Sequence, residues 1–314
     1  MTPSLADCID ARVLADVDRH AAAFARREPF RHVVIDDFLD ANYAAALLAD
    51  FPPFERGNAR NEAGELGGKS TVERIRRLGS PYAALDALIQ SRPFLDLVGR
   101  VTGIRQLLYD PDYFGGGTHE NREGQDLDPH VDFNRHPREH WHRRLNLIVY
   151  LNHEWEAAWG GALELHSDPR SRDDRVSLVV PLFNRCVIFE TTESSWHGFS
   201  RIALPADRRD RSRKSIALYF YTKDRPAEEL AGTHSTIYID RPLPERFRPG
   251  ATLDDAGVEE LRVLLARRDQ HNQRLYRDVA RLTKELEETR AALFAGTLGR
   301  LRYLASRAMV RLRR

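Results

Sequence analysis

The chain has 314 residues, and its 48 Lys and Arg residues almost balance 47 Asp and Glu residues, giving a formal net charge of +1. This balance lacks the basic excess typical of nucleic-acid-binding proteins, so we expect no nucleic-acid partner. The two cysteines, Cys8 and Cys186, are far apart. Their spacing excludes a disulfide framework and a thiolate zinc site, and it suits a reducing compartment. An acidic N-terminal segment without an apolar run is unlike a signal peptide, and we expect a cytoplasmic protein.

The first hundred residues are predicted to be mainly helical. Apolar residues recur at helical spacing in three segments, and one short apolar run reads as a strand that enters a turn. The segment 55–72 is polar and carries four glycines, so we expect a loop there. The helices are predicted at residues 4–28, 41–49 and 82–101, and the strand at 31–39.

The middle of the chain changes to short β-rich runs, each bounded by Gly, Pro, Asp or Asn. Many short strands with such boundaries indicate an antiparallel sandwich or barrel, so the fold class is α+β. The strands are predicted at residues 106–109, 144–151, 161–166, 175–180, 185–190 and 213–222.

Beyond a proline-containing linker, apolar residues repeat every seven positions. Successive members of the two series alternate by four and three residues, which is typical of a coiled-coil seam. A seam position occupied by Asn272 would favour one register. The series are Leu261, Arg268, Leu275 and Leu282, and Leu265, Asn272, Val279, Leu286 and Leu293.

The helix and the tail each have two interpretations. The helix 257–295 either pairs with its copy in a homodimer or packs on its own barrel as an ordinary amphipathic element. Residues 296–314 carry several arginines and no acidic residue. This basic amphipathic pattern suits attachment to an anionic membrane surface, which would make the protein peripheral at the inner membrane, and it also suits a partner-binding helix.

The most informative motif is His130-Val131-Asp132, followed 65 residues after Asp132 by His197. Residues two apart on a strand project from the same face, so His130 and Asp132 can reach one metal. Two imidazoles and one carboxylate are the ligand set that holds Fe(II) on one face, with positions left open for O₂ and a co-substrate. Taken alone, the HxD pair is more typical of a surface loop, and the metal reading depends on its context.

The order of motifs resembles the Fe(II)/2-oxoglutarate dioxygenases of the prolyl-4-hydroxylase-like superfamily. The HxD motif precedes a strand that ends Tyr150-Leu-Asn, a Gly160-Gly turn, His197 followed by Gly, and an Arg-x-Ser motif at Arg213. The resemblance covers residues from about Phe30 to Pro226. It implies a double-stranded β-helix (jelly-roll) core with iron at its mouth.

Transferred residue by residue, the resemblance makes His130, Asp132 and His197 the iron ligands. Arg213 would hold the distal carboxylate of 2-oxoglutarate, with help from Tyr150 and Ser215. Lys214 is a competing anchor, but strand alternation places it on the face opposite Ser215.

Other histidines and tryptophans near these motifs allow more than one interpretation. His119 is expected at the lip of the pocket. The histidines 136, 140 and 142 could serve a second metal or a substrate-contacting loop, although a solvated basic connection is the simpler reading. Trp141 and Trp196 could flank the substrate or simply pack.

The sequence thus predicts a dioxygenase that uses Fe(II), 2-oxoglutarate and O₂, with ascorbate as a candidate reductant, and releases succinate and CO₂. Its unidentified hydroxylation substrate could be peptidyl proline or another small or surface-glycan-related molecule. The rivals are a cupin-like metal enzyme that uses no 2-oxo acid and a non-catalytic jelly-roll assembly protein that acts through its coiled coil. The predicted divisions are an N-terminal helix (1–28), the oxygenase domain (29–242), a linker (243–256), the coiled-coil helix (257–295) and the basic tail (296–314).

Overall fold

The chain divides into two units, Met1–Arg241 and Pro242–Arg314, in the computed structural model. The structure describes residues 3–26, 28–57, 69–239, 243, 246–294, 296, 301, 304–305 and 308. Helices precede the sheets in the first unit, and one long helix dominates the second. The α-helices of the described residues are α1 (Leu5–Cys8), α2 (Ala11–Ala15), α3 (Val17–Phe24), α4 (Ala41–Ala49), α5 (Ser80–Gln90), α6 (Arg92–Thr102) and α7 (Asp255–Phe294).

The strands of the described residues form two antiparallel sheets, so the fold is α+β. They are β1 (His32–Ile35), β2 (Ser70–Val72), β3 (Leu108–Tyr109), β4 (Gly117–Asn121), β5 (Leu127–Val131), β6 (His142–Tyr150), β7 (Leu163–His166), β8 (Val176–Val179), β9 (Cys186–Glu190), β10 (Trp196–Phe199), β11 (Arg213–Thr222) and β12 (Ile237–Tyr238). The larger sheet has the order β1-β9-β6-β11-β4-β2, with β3 paired to β11. The smaller sheet has the order β12-β5-β10-β7-β8.

The central strands of the larger sheet are buried on both faces, which explains their nearly continuous apolar sequence. On β11, Ile216, Leu218 and Phe220 enter the core that the sheet shares with the N-terminal helices. The alternate residues from Arg213 to Tyr219 line a cavity on the other face. A second apolar cluster, which includes Tyr150 of β6 and Leu163 of β7, contains residues from both sheets. One sheet face therefore packs on helices and the other faces the site.

The predicted helix over 4–28 is three short helices. The side chain of Asp10 accepts a hydrogen bond from the backbone N–H of Arg12 and caps α2, so the chain turns where simple periodicity continues a helix. The helical segment 82–101 is likewise two helices, and the second begins at a cap in which Ser91 Oγ accepts from the N–H of Phe94.

Strands were underestimated, because β2, β4, β5, β10 and β12 lie outside the predicted strand segments. The predicted loop 55–72 ends in β2, while its residues 58–68 lie outside the described part. Strands β4 and β5 were not predicted, because β4 follows a run of glycines and β5 contains Pro129.

The second unit consists mainly of α7, which has 40 residues. Leu265, Leu275, Val279, Leu282 and Leu286 of the heptad series are each more than half exposed. None of the described helices has the combined length and apolar character that a membrane span requires.

Candidate active site

Three of the predicted residues come together where β5 meets β10. His130 and His197 are opposite each other in the register of this strand pair, and their ring centroids are 4.2 Å apart. Asp132 follows β5 directly, with carboxylate oxygens 3.8 Å from Nε2 of His130 and 3.5 Å from Nε2 of His197. The three potential ligand atoms lie within 4.8 Å of one another. They are therefore close enough to bind one ion.

Backbone carbonyls fix the orientation of both imidazoles. Nδ1 of His130 lies 2.9 Å from the carbonyl oxygen of Asp128, and Nδ1 of His197 lies 2.9 Å from that of Ser195. A carbonyl can only accept, so both rings carry their proton on Nδ1 and leave the Nε2 lone pair for the ion. This arrangement is typical of metal-bound histidines.

Asp132 is held by a pair of residues from the start of β6. Asn146 Nδ2 donates to Oδ2 of Asp132 at 2.8 Å, and Nη2 of Arg143 lies 3.1 Å from the same oxygen. The side chain of Asn146 is in turn fixed because its Oδ1 accepts from Nε and Nη2 of Arg143 at 3.1 and 2.8 Å. These contacts leave Oδ1 of Asp132 available to an ion.

The protonation states suit metal binding at neutral pH. Burial, with a contribution from the nearby His197, lowers the pKa of His130 to about 3. Burial also lowers the pKa of His197. Burial opposes ionisation of Asp132, but the charge of Arg143, the two neighbouring imidazoles and the hydrogen bond from Asn146 together outweigh it and hold the pKa of the carboxyl well below its usual range. Two neutral imidazoles and a carboxylate are the forms that ligate a metal.

Arg213 lies in the same cavity and is buried. Its Nε donates to the carbonyl oxygen of Gly161 at 2.7 Å, and its Nη2 donates to the hydroxyl of Tyr150 at 3.1 Å. Ser215, two residues along β11, lines the cavity and pairs with Tyr150 in the strand register. The three residues assigned to 2-oxoglutarate are therefore adjacent.

Lys214, the competing anchor, projects from the other face of β11. Its ammonium group is 3.1 Å from Oε1 of Glu120 and also bonds to Ser212 Oγ. Lys214 is not among the residues that line the cavity. Lys214 and Arg213 therefore lie on opposite faces of β11, as strand alternation predicts.

Two glycines of the sequence motifs allow close backbone approaches. A Cβ at Gly198, directly after His197, would lie 2.6 Å from the carbonyl oxygen of Leu127 on β5. Gly161 has a φ of +68°, a conformation that favours glycine, and its carbonyl accepts from Arg213. The Gly-Gly turn therefore helps to hold the arginine that faces the iron-ligand candidates.

The cavity also contains His119, which was expected at the lip of the pocket, and residues that the sequence did not assign to the site. Lys69 and His119 line it from the side of β2 and β4, together with Asn146 and Arg143 from β6. The ring of Tyr238 on β12 stacks on His130 at 5.0 Å. No short motif marks Lys69 or Tyr238. Asn146 could have been found from the alternation of β6, which places it on the face of Tyr150. Alternation puts Arg143 on the opposite face, and the register shift in this part of the β6–β11 pair is not visible in the sequence.

The histidines after the HxD motif do not form a wholly solvated connection. His136 is buried, and its Nε2 lies 3.1 Å from Oδ1 of Asp110. Its Nδ1 accepts from the backbone N–H groups of Arg138 and Glu139, so Nε2 carries the proton that bonds to Asp110. Both nitrogens are therefore engaged within the protein. Neither Trp141 nor Trp196 lines the cavity.

The cavity combines two neutral imidazoles and one carboxylate with a buried arginine. The imidazoles and the carboxylate are the donor set of non-haem Fe(II) oxygenases, and the arginine suits those that use a 2-oxo acid. The sequence profile of the 2OG-Fe(II) oxygenase superfamily matches residues 116–221, which include all of these residues. Over residues 116–221 the chain therefore resembles the 2OG-Fe(II) oxygenase superfamily. This family uses Fe(II), 2-oxoglutarate and O₂.

Individual relatives are distant. Prolyl 3-hydroxylase OGFOD1 of Mus musculus is 23% identical over 244 residues, which are 72% of this chain and 37% of the mouse protein. The chain thus spans little more than a third of that relative. A prolyl hydroxylase from Trichoplax adhaerens, solved with a peptide of hypoxia inducible factor, has 16% identity and a TM-score of 0.47 over 68% of this chain and 93% of its own. A prolyl-4-hydroxylase from Pseudomonas putida has 16% identity and a TM-score of 0.40 over 72% and 99%.

Proposed function

We propose that this chain is a dioxygenase that hydroxylates a C–H bond of an organic substrate and converts 2-oxoglutarate to succinate and CO₂. The observation that supports it most strongly is the presence, in one cavity, of His130, Asp132 and His197 together with the buried Arg213. In this proposal the first three hold Fe(II), and Arg213, Tyr150 and Ser215 hold the distal carboxylate of 2-oxoglutarate. A guanidinium fork suits such a carboxylate because it can bond both oxygens.

The two antiparallel sheets support a double-stranded β-helix as the scaffold. Both sheets contribute to the apolar cluster that contains Tyr150 and Leu163. His130 and His197 lie on the smaller sheet, whereas Arg213 lies on the larger one. A cavity bounded by both sheets can therefore hold a chelating ligand between the metal and the arginine.

Bound Fe(II) would supply the activation of O₂ and the oxidation of the 2-oxo acid. The protein contributes position and electrostatics. Arg143 and Asn146 keep Asp132 ionised and oriented, while the carbonyls of Asp128 and Ser195 orient the imidazoles. Apolar side chains such as Leu163 and Phe199 line the cavity and limit the access of water. Ascorbate, as a reductant for iron, remains part of the proposal.

Peptidyl proline is the first substrate class to test, because the mouse relative is a prolyl 3-hydroxylase. A small or surface-glycan-related molecule is the alternative that the sequence left open. Of the rival functions, a cupin-like enzyme without a 2-oxo acid would leave Arg213 with no anionic partner in the cavity. A non-catalytic assembly protein would have no need for two histidines that present Nε2 to a common point.

The experiment is a 2-oxoglutarate turnover assay on the Fe(II)-loaded protein, with succinate measured by mass spectrometry. Peptide, amino-acid and glycan panels are added in turn. We expect slow uncoupled succinate formation without a substrate and faster formation with the correct class. A His197→Ala variant is the control, and it should form none. Equal succinate formation by the wild type and His197→Ala would refute the proposal.

We further propose that α7 pairs with its copy in a second chain. The exposed Leu275, Val279 and Leu282 support this, because an amphipathic helix needs a cover for its apolar seam. The basic segment 296–314, proposed to contact anionic lipid, lies outside the described residues apart from five positions. Sedimentation of the full-length chain and of a truncation before residue 257 tests the dimer.

A further inference from the structure

Lys69 is a cation in the cavity that the proposed function does not use. It directly precedes β2, the strand that pairs with β4 at the edge of the larger sheet, and it lines the same cavity as His130, Asp132 and His197. Among the described residues, no acceptor is hydrogen-bonded or ion-paired with its ammonium group. Burial lowers the pKa of Lys69 to about 8, so the group is still mostly protonated at neutral pH.

Arg143 contributes a second positive charge to the cavity. Its Nε and Nη2 bond to Asn146, and Nη2 also contacts Asp132, but its Nη1 is buried without a hydrogen-bond partner. The guanidinium carbon lies 4.4 Å from the ring centre of Phe133 and 3.6 Å from that of Tyr219, so packing fixes its plane. Nη1 is enclosed by the protein, so Arg143 acts on a ligand in the cavity through its charge and not through a hydrogen bond from this atom.

The charges of the filled cavity do not balance. Fe(II), Arg213, Arg143 and Lys69 would together carry five positive charges, whereas Asp132 and 2-oxoglutarate would supply three negative ones. Burial lowers the pKa of His119 well below its usual value, so this neighbour adds no positive charge. Even if the nearby Glu73 is counted, one positive charge remains without a partner. A single additional carboxylate would neutralise it.

We propose that Lys69 binds a carboxylate of the substrate that is hydroxylated. This inference rests on the proposed function and adds a substrate class to it: molecules in which a carboxylate lies near the oxidised carbon. Both carboxylates of 2-oxoglutarate already have partners, since one is assigned to the metal and the other to Arg213.

The test uses the full chain with Mn(II) in the iron site and saturating 2-oxoglutarate, without O₂. The probes are matched pairs of an acid and its amide, beginning with N-acetylproline and N-acetylprolinamide. Paramagnetic broadening of the probe's proton resonances by Mn(II) reports binding close to the metal and gives a Kd. Binding of Mn(II) and of 2-oxoglutarate is measured separately by calorimetry.

Lys69→Met removes the charge and keeps the length of the side chain. Lys69→Arg restores the charge, and Lys223→Met removes an exposed lysine elsewhere. We expect broadening of acids but not of amides, and affinity for the acid that is about tenfold or more weaker in Lys69→Met. Lys69→Arg should recover most of it, and Lys223→Met should match the wild type. The Kd of 2-oxoglutarate should change less than about twofold.

Three kinds of result would contradict these expectations. Equal broadening of acids and amides, or of neither, would overturn the carboxylate proposal. A loss of 2-oxoglutarate affinity in Lys69→Met would make Lys69 a co-substrate ligand and would overturn it as well, while leaving the proposed function intact. Failure of the wild type to bind Mn(II) with 2-oxoglutarate would refute the proposed function, and the carboxylate proposal with it.

Discussion

Replacing Arg213 with methionine should weaken 2-oxoglutarate binding strongly and metal binding little. Arg213 is 5% exposed and is oriented by Gly161 and Tyr150, so a carboxylate that meets it loses little of the interaction to solvent. A hydrogen bond to a charged group contributes about 1.5–3 kcal/mol, and a buried ion left without its partner costs about 3–5 kcal/mol. We therefore expect a loss of about 2–4 kcal/mol, or roughly 30- to 700-fold in Kd.

The assay is calorimetric titration of 2-oxoglutarate into the Mn(II)-loaded protein without O₂, preceded by titration of Mn(II) itself. Lys214→Met is the matched control, because Lys214 is next in sequence but pairs with Glu120 on the other face of β11. The Kd of Mn(II) should change less than about threefold in both variants. An unchanged 2-oxoglutarate Kd in Arg213→Met, with Lys214→Met impaired, would show that the anchor is Lys214.

Three further outcomes are expected. Asn146→Ala should weaken metal binding by about 10- to 100-fold, because Asp132 loses a bond that orients it; an unchanged Kd for Mn(II) would contradict this role. The metal-free protein should lose stability as the pH falls from about 7 to about 5, because His130 and His197 stay neutral when folded but take up protons near their usual pKa when unfolded; a denaturation midpoint that is constant or rises would contradict this. Deleting residues 257–314 should convert a dimer into a folded monomer that still turns over 2-oxoglutarate, and sedimentation of the full-length chain as a monomer would refute the pairing of α7.

The parts of the site that lie on one strand could be predicted from the sequence. Two-residue alternation on an extended strand links His130 to Asp132 and Arg213 to Ser215, and it separates Lys214 from them. The resemblance in motif order then assigns His197 to the same metal as His130 and Asp132. Periodicity alone does not show that β10 pairs with β5.

The parts that were missed depend on tertiary packing. Lys69 enters the cavity only because β2 pairs with β4, and a three-residue edge strand after a glycine-rich segment has too little pattern to be recognised. The burial of His136 follows from its bond to Asp110, which lies 26 residues earlier. A side-chain cap at Asp10 begins α2 directly after α1, and helical periodicity does not reveal such a cap.

The most direct test of the account is an anaerobic titration of the Fe(II)-loaded protein with 2-oxoglutarate, followed by visible absorption. Chelation of Fe(II) by the 2-oxo acid produces a charge-transfer band, so it reports both ligands in one site. We predict a band that saturates at one 2-oxoglutarate per chain, is absent in His197→Ala and requires much more 2-oxoglutarate in Arg213→Met. A wild-type protein that gives no band, or a band that persists unchanged in His197→Ala, would contradict the assignment of this cavity as the active site.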